Sequence, residues 1–507
     1  MRGNTLRYIT IAIILVALLA RLIPGPRTID DAYITFRYAR NILQSQGMVY
    51  NLGQRVLGTT TPLYTLLMAF LGVFLGGADA PFPWIALVIN AIADSFTCLL
   101  LIHLGRRFRR QRVGFVVAAV WAIAPMSVSF AIGGMETSVF IALMTGTFYF
   151  YSEDRLVPAA FLASLSLVTR PDSLLFILPL VLDRLRRITP WPQINPNPAP
   201  ITTLEVSAFI LPALLWFSFA TLYYGNPLPN SLSAKLVAYN LNGKETFIRL
   251  LQHYSTPFFG HLMLGNLWNG LGFFLYFMLY LLGSIRAFRS WRSSWAIFIF
   301  PLTYFVAYSI ANPLLFRWYL APPLPIYFLG ILMGLDFVFT DLKIPKGFYL
   351  ASSILILFTL NAWTLKPDHG PSQPAPEMAF IRLELLYEKV GKDLKQTIDE
   401  GQVVAAGDIG AIGYFTEARI LDAVGLVTPV ATKYYPLPES SYIINFAISS
   451  DLIVEQLPDY LVILEIYGRN TLLKDPDFNA IYTLMKRYTT DLYGSKDMLV
   501  FMKETGE

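Results

Sequence analysis

The chain has 507 residues, of which 55% are hydrophobic, 15% aromatic and only 14% charged, with mean hydropathy +0.51. Soluble domains carry about 25% charged residues, so a soluble globular protein is excluded, and a net charge of only +5 on such a chain argues against nucleic acid as a partner. A single cysteine, Cys98, excludes an intrachain disulfide and a cysteine-built metal centre.

Taken in order, the chain opens with an apolar run, 6–23, behind Arg2 and Arg7. It is long for a cleaved signal and is read as a signal-anchor helix. The stretch TIDDAYITFRY (28–38) follows at once, with adjacent carboxylates at Asp30 and Asp31 and a guanidinium at Arg37, two helical turns on. Further apolar runs fall at 82–104, 113–130, 137–151, 156–168, 173–182, 204–222, 268–282, 295–311, 319–335 and 348–365. Together they predict an α-helical polytopic membrane protein with about eleven spans. The run 62–77 decides the topology. Counting it as a crossing would put RRFRRQR, DRLRR and RAFRSWR outside, against the bias of basic residues to the cytoplasmic face. It is therefore expected as a short helix in the outer leaflet, with the N-terminus cytoplasmic and the C-terminus outside.

That topology collects one set of segments on the outer face: the first loop (24–61), GGMET (133–137), TRPD (169–172), the loop 223–267, NPLLFRWY (312–319) and the tail. The segment 189–200 is rich in proline and reads as an inner linker. After 365 the composition changes. A linker (366–376) precedes charged helical sequence and four short alternating runs, QVVAA, ARILDAV, DYLVILE and DMLVFM. They predict a small extracytoplasmic α/β domain over 377–507. The glycines of DIGAIGYF do not have the spacing of a phosphate-cradling loop and are expected in tight turns.

An acidic pair at a membrane face is costly to keep idle, because like charges repel and resist dehydration. Asp30 and Asp31 are the candidate catalytic groups: a carboxylate there can take a proton from an attacking hydroxyl. The other reading is an acidic first turn favoured by the helix dipole. A leaving phosphate would want Lys235 or Arg317, then Arg37, near the outer interface. Glu136 is placed to orient a hydroxyl or help hold a cation. Tyr224, with Tyr223, fits an interfacial aromatic belt.

At this point a family resemblance enters. DDAYITFRYARNILQSQGMVYNLGQRVLGTTTPLYTLL resembles the first outer loop of GT-C glycosyltransferases, above all the actinobacterial terminal arabinofuranosyltransferases and their bacterial relatives. GGMETSVF, TRPDSLL, YYGNPLPNSLSAK and FRWYLAPPLPI resemble the later blocks, in the same order, and AAGDIGAIGYFTEARILDAVGLVTP resembles the outer domain. The resemblance implies a transmembrane GT-C catalytic domain over 1–365, a polyprenyl-phosphate-linked sugar donor, a glycan, lipid or protein acceptor on the outer face, and inversion at the anomeric carbon. It implies that a first-loop acid is the base, Asp30 being favoured by position. Arg37, Glu136, Tyr224, Asn226, Lys235 and Arg317 are then the substrate-binding candidates. Relatives differ over a divalent cation; Asp31 and Glu136 are the acids available for one. Where many relatives read EGYTSP, this chain has Gly58 and Thr59 in LGTTTP. Two other classes compete: a lipid or polysaccharide transporter or flippase, which would show an internal repeat and broken mid-membrane helices, and a non-catalytic membrane scaffold.

Overall fold

The structure, a computed structural model, describes residues 3–188, 200–241, 243–258, 266–362 and 379–504. The expected linker 366–376 and nearly all of the proline-rich segment 189–200 lie outside the described residues. The helices begin with α1 (Gly3–Leu22), α2 (Asp30–Leu43), α3 (Pro62–Phe74), α4 (Phe82–Arg107), α5 (Gln111–Ile123) and α6 (Pro125–Ile132). Next come α7 (Thr137–Ser152), α8 (Leu156–Thr169), α9 (Leu174–Ile188), α10 (Thr203–Tyr224), α11 (Asn230–Ala238) and α12 (Glu245–Ser255). Then follow α13 (Asn266–Ser290), α14 (Trp295–Phe298), α15 (Phe300–Ala311), α16 (Leu324–Asp341), α17 (Pro345–Asn361), α18 (Ala379–Lys395) and α19 (Gly410–Thr416).

Among the described residues, six helical stretches are long and apolar enough to cross a membrane, and seven if α5 and α6, bent by 47° across Ala124 and Pro125, form one span. The protein is a membrane protein. Helices cover the described parts of the expected runs at 137–151, 156–168, 173–182 and 348–365 almost throughout, but they have 16, 14, 15 and 17 residues, and residues 363–365 lie outside the described residues. At 1.5 Å per residue, the 13 residues of α3 reach about 20 Å, short of the roughly 30 Å hydrocarbon core.

The chain divides into two compact units. The first comprises Met1–Pro26, Ala86–Trp216 and Gly243–Asp368. Several of its buried charges are closed into networks, as a medium without water favours. Arg21 on α1 donates from Nε to Asp94 Oδ2 (2.8 Å) and from Nη1 to the carbonyls of Ala17 and Ala122. Asp94 accepts in turn from Trp121 Nε1 (3.1 Å) and Ser138 Oγ (2.9 Å). One ion pair thus ties α1, α4, α5 and α7. Close backbone approach does the rest: a Cβ on Gly283 of α13 would lie 2.0 Å from the Gly330 carbonyl oxygen of α16.

The second unit comprises Arg27–Ile85, Phe217–Asn242 and His369–Glu507. Its core is a five-stranded sheet of β1 (Val403–Ala406), β2 (Arg419–Asp422), β3 (Tyr460–Leu464), β4 (Tyr482–Thr489) and β5 (Asp497–Lys503), in the order β2-β1-β3-β5-β4. β1 runs parallel to β2 and β3, while β5 is antiparallel to β3 and β4. The four alternating runs form β1, β2, β3 and β5. β4, with one face of Lys486 and other exposed side chains, is an edge strand the alternation did not mark. All five residues of the central β3 are buried.

At the end of β2, Asp422 is buried and its carboxylate accepts from the N–H groups of Val424 and Val427, both at 2.9 Å. Burial nevertheless pushes its pKa from the ordinary 3.8 up to about 6. A raised folded-state pKa means the proton binds more tightly in the folded form, so this stabilisation is full below 3.8 and lost as pH rises through about 6. Up to about 3 kcal/mol is at stake. Asp422→Asn is expected to flatten the pH dependence of the melting temperature over that window; equal slopes in variant and wild type would refute the assignment.

Candidate active site

The acidic pair opens α2, as its position after the first hydrophobic helix predicts, yet its two members face different surroundings. Asp30 is buried, and its carboxylate accepts from the N–H groups of Gly410 (2.8 Å) and Ala411 (2.7 Å), the first two residues of α19. Two turns on, Arg37 is buried and spends all three nitrogens on carbonyls: Nε on Tyr50 (2.9 Å), Nη1 on Gly413 (2.5 Å) and Nη2 on Ala418 (2.6 Å). The seven steps from Asp30 to Arg37 and the seven-residue α19 each advance about 10 Å. One helix therefore sets an anion at the positive end of the other and a cation at its negative end. Tyr50 Oη donates to Ile409 O at 2.6 Å, and Asn51 pairs through both ends of its amide with the backbone of Ile420.

This contact explains DIGAIGYF. A Cβ on Gly410 would lie 1.8 Å from the Asp30 carbonyl oxygen, and one on Gly413 would lie 1.9 Å from Tyr50 Oη. The expectation of tight turns is corrected here: Gly410 and Gly413 sit one turn apart in a helix and bare its surface for the first loop. Gly58 in the first loop is bare for a similar reason, since a Cβ there would lie 2.5 Å from Val427 Cγ1.

Asp31 is left half-buried, and one of its oxygens lies 3.6 Å from Lys235 Nζ on α11. α11 is held to the same unit by Asn230, whose Nδ2 donates to the carbonyls of Gly425 (2.5 Å) and Leu426 (3.2 Å). Two side chains from the sheet segment join this centre. Asp408, just ahead of α19, accepts a short hydrogen bond from Tyr387 on α18 and interacts with the charges of Asp31 and Lys235. Glu384, one turn earlier on α18, is buried with Oε2 unpartnered. Burial first, and then Asp408 and Asp31, push Asp30 well above the ordinary carboxylate range; burial and Asp30 do the same to Glu384. Sequence reasoning missed Asp408 because it discounted the glycine segment that the residue opens, and Glu384 because it is one of several charges in a helical stretch.

Other expected site residues are engaged locally. Each of the three Arg37 nitrogens already donates to a backbone carbonyl, where the sequence reading has them facing a phosphate. Tyr224 donates from its hydroxyl to Met48 O at 2.6 Å and anchors the first loop. Asn226 Oδ1 accepts from the Leu228 N–H at 3.0 Å, a turn-forming bond. In the first unit, Glu136 is buried against Arg170 Nη1 (3.3 Å), and Arg170 grips both oxygens of Asp172. Tyr308 also donates to Asp172, at 3.1 Å, and Tyr319 lies beneath the Arg170 guanidinium. Arg317 stands exposed in the short turn Arg317–Leu320.

A cation the sequence reading passed over is Arg27. It is only 5% exposed, and neither its Nε nor its Nη1 has a hydrogen-bond partner. Its spacing from Asp30 and Asp31 suggests helical pairing, but α2 begins at Asp30 and the pairs do not form. A divalent ion does not fit the two acids named for it. Asp31 faces an ammonium and Glu136 a guanidinium, and among the described residues no group of three or more His, Cys, Asp or Glu is arranged around a metal position.

Residues 378–501 match a family described as a domain of unknown function (DUF8728). The terminal beta-(1->2)-arabinofuranosyltransferase of Mycobacterium tuberculosis is 30% identical over 122 residues, 23% of this chain and 19% of that protein. The match thus spans about a fifth of that relative's length. Among solved structures, ArnT from Cupriavidus metallidurans bound to undecaprenyl phosphate superposes with TM-score 0.58 at 12% identity, covering 99% of this chain and 98% of ArnT. The oligosaccharyltransferase of Archaeoglobus fulgidus gives 0.54 at 11% identity, covering 97% of this chain and 72% of that one. The chain has the GT-C fold. Its structural neighbours are membrane glycosyltransferases of that type.

The clamp on α19 generates a direct test. Arg37→Gln strips charge-assisted bonds from three carbonyls and is expected to cost on the order of 3 kcal/mol. Gly410→Ala is expected to do at least as much through its clash with Asp30. Thermal unfolding of the purified protein reads both; unchanged melting temperatures would refute the clamp.

Proposed function

We propose that this chain is an inverting glycosyltransferase that moves a sugar from a polyprenyl-phosphate carrier to a hydroxyl acceptor on the outer face of the membrane. The GT-C fold supports the class, and an ArnT structure with undecaprenyl phosphate bound supports the carrier. The observation that carries the reading at the residue level is the Asp31–Lys235 pair, a half-buried acid facing a cation 3.6 Å away. Sequence position favours Asp30 as the base, but both oxygens of Asp30 are occupied by backbone N–H groups. Asp31 is therefore assigned the base and Asp30 the task of holding it in place.

In the proposed reaction the acceptor oxygen attacks the anomeric carbon from the face opposite the carrier. Asp31 takes the hydroxyl proton as the new C–O bond forms. The bond from that carbon to the phosphate oxygen breaks, and the carrier leaves as its phosphate, next to Lys235. Arg27, with two unpartnered nitrogens in a buried setting, is a second cation suited to a phosphate. The donor sugar and the acceptor class, whether glycan, lipid or protein, are left to experiment.

The same reading takes 1–365 as the transmembrane domain with about eleven crossings, the short helices among them. It takes 377–507 as an extracytoplasmic domain and the N-terminus as cytoplasmic, on the basic-residue bias. An alkaline phosphatase fused after Glu507 is expected to be active and one fused after Arg110 inactive; the opposite pattern would overturn the orientation.

Asp31→Asn is expected to cut transfer from lipid-linked sugars of the native membrane roughly a thousandfold while leaving the melting temperature near wild type. Full turnover in that variant would reject the assignment of the base. Arg27→Gln is expected to weaken undecaprenyl phosphate binding about tenfold, read by native mass spectrometry; unaltered binding would remove Arg27 from the site.

A further inference from the structure

The first unit holds a cleft that neither its buried ion pairs nor the proposed reaction uses. It opens where the start of α1, the end of α4 and the start of α5 meet, and its volume is about 590 Å³. Sites for small molecules run from roughly 300 to 1,000 Å³. α1 and α4 are both long and apolar enough to cross a membrane, so a cleft at their ends lies at a membrane–water interface. That holds whichever way the chain is oriented. Arg7, His103, Arg106 and Gln111 line the cleft, and Ile11 and Leu99 are part of its apolar wall.

The cations of this cleft differ from their neighbours. On the same stretch, Arg107 Nε donates to the Ser152 carbonyl at 2.6 Å, and Arg110 and Arg112 both pair with the buried Asp336. Among the described residues, neither Arg7 nor Arg106 pairs with an acid or donates a side-chain hydrogen bond, and no Asp or Glu lines the cleft. The His103 ring packs against Tyr149, with 5.5 Å between ring centroids. Guanidinium groups so placed are complementary to an anion that arrives from outside the chain.

α1 indicates what kind of anion. Arg7, Ile11, Leu15 and Leu19 are spaced by four and follow one another down a single slanting stripe of the helix. All four are exposed, and Leu19 lies about 18 Å along the axis from Arg7. A cation therefore heads a bare apolar track that starts in the cleft and runs into the membrane. A free phosphate would meet the cations and leave the track unused. A molecule with an anionic head and long apolar chains covers both.

We propose that this cleft binds one anionic phospholipid, with its phosphate held by Arg7 and Arg106 and its chains along Ile11, Leu15 and Leu19. Basic recesses between membrane helices suit such headgroups. The bound lipid ties the first helix to α4 at their charged ends, as Arg21 and Asp94 tie them deeper in the unit.

The test is native mass spectrometry of the purified full chain in detergent, titrated with dioleoyl-phosphatidylglycerol. One lipid is expected to stay bound. Arg7→Gln combined with Arg106→Gln is expected to weaken its binding about tenfold to thirtyfold. Arg289→Gln combined with Arg292→Gln removes the same charge from exposed positions outside the cleft, and is expected to change binding by less than about twofold. Dioleoyl-phosphatidylethanolamine, with the same chains and no net charge, is expected to bind about tenfold more weakly than the glycerol lipid. Equal losses in the two double variants, or equal binding of the two lipids, would overturn the proposal. Two competitors separate the other sources of a phosphate. Displacement of the lipid by an equal concentration of glycerol 3-phosphate would make this a site for a free phosphate. Tighter binding of undecaprenyl phosphate, lost in the Arg7/Arg106 variant, would make it a carrier site. Either result would also overturn the assignment.

Discussion

Asp30 and Arg37 hold α19 by its two ends, and the second unit is built outward from that grip. A helix exposes unpaired N–H groups at its start and unpaired carbonyls at its finish. Here the Asp30 carboxylate answers two N–H groups at the start, while Arg37 adds a donor to the Gly413 carbonyl, which also accepts from Glu417, and one to Ala418 just past the helix. Bonds to charged groups contribute about 1.5–3 kcal/mol each, and a buried charge left alone costs more than that. The arrangement is consequently all or nothing. Every partner must be present, and the two glycines must stay bare to let the helices approach.

The clamp also divides labour between two identical neighbours. Asp30 and Asp31 are adjacent in sequence and begin the same helical turn, so they point about 100° apart. One direction leads into α19, where backbone donors occupy both oxygens. The other leads to Lys235 and leaves a half-buried acid beside a cation. Environment, not residue type, separates the carboxylate held by backbone donors from the one beside a cation, and the backbone donors come from residues some 380 positions away.

The first unit follows the same rule in a drier setting. Arg21 and Asp94 are completely buried, and each is surrounded by donors or acceptors from neighbouring helices. The Glu136–Arg170–Asp172 set is closed in the same way, with tyrosines completing Asp172. With so few charges available, a membrane-embedded chain gains by closing buried ones into networks. Closure is not complete in either unit: the bare nitrogens of Arg27 and the bare oxygen of Glu384 lie in the second, and Asp336 Oδ2 in the first accepts no hydrogen bond.

Composition and the length of the apolar runs determined by themselves that the chain lives in a membrane, where its helices fall, and that an acidic helix follows the first of them. These properties follow from local hydrophobicity and short-range periodicity, which one stretch of chain carries alone. The ordered motifs also carried the likeness to GT-C enzymes. Tertiary structure decided which aspartate is spent and which is free, that Arg37 serves the fold, that DIGAIGYF is a helix surface and not a turn, and that Asp408 and Glu384 join the acidic pair. Each of those depends on what a side chain meets across hundreds of residues, and charge, burial and hydrogen-bond partners acquire their meaning only once the distant segment has arrived.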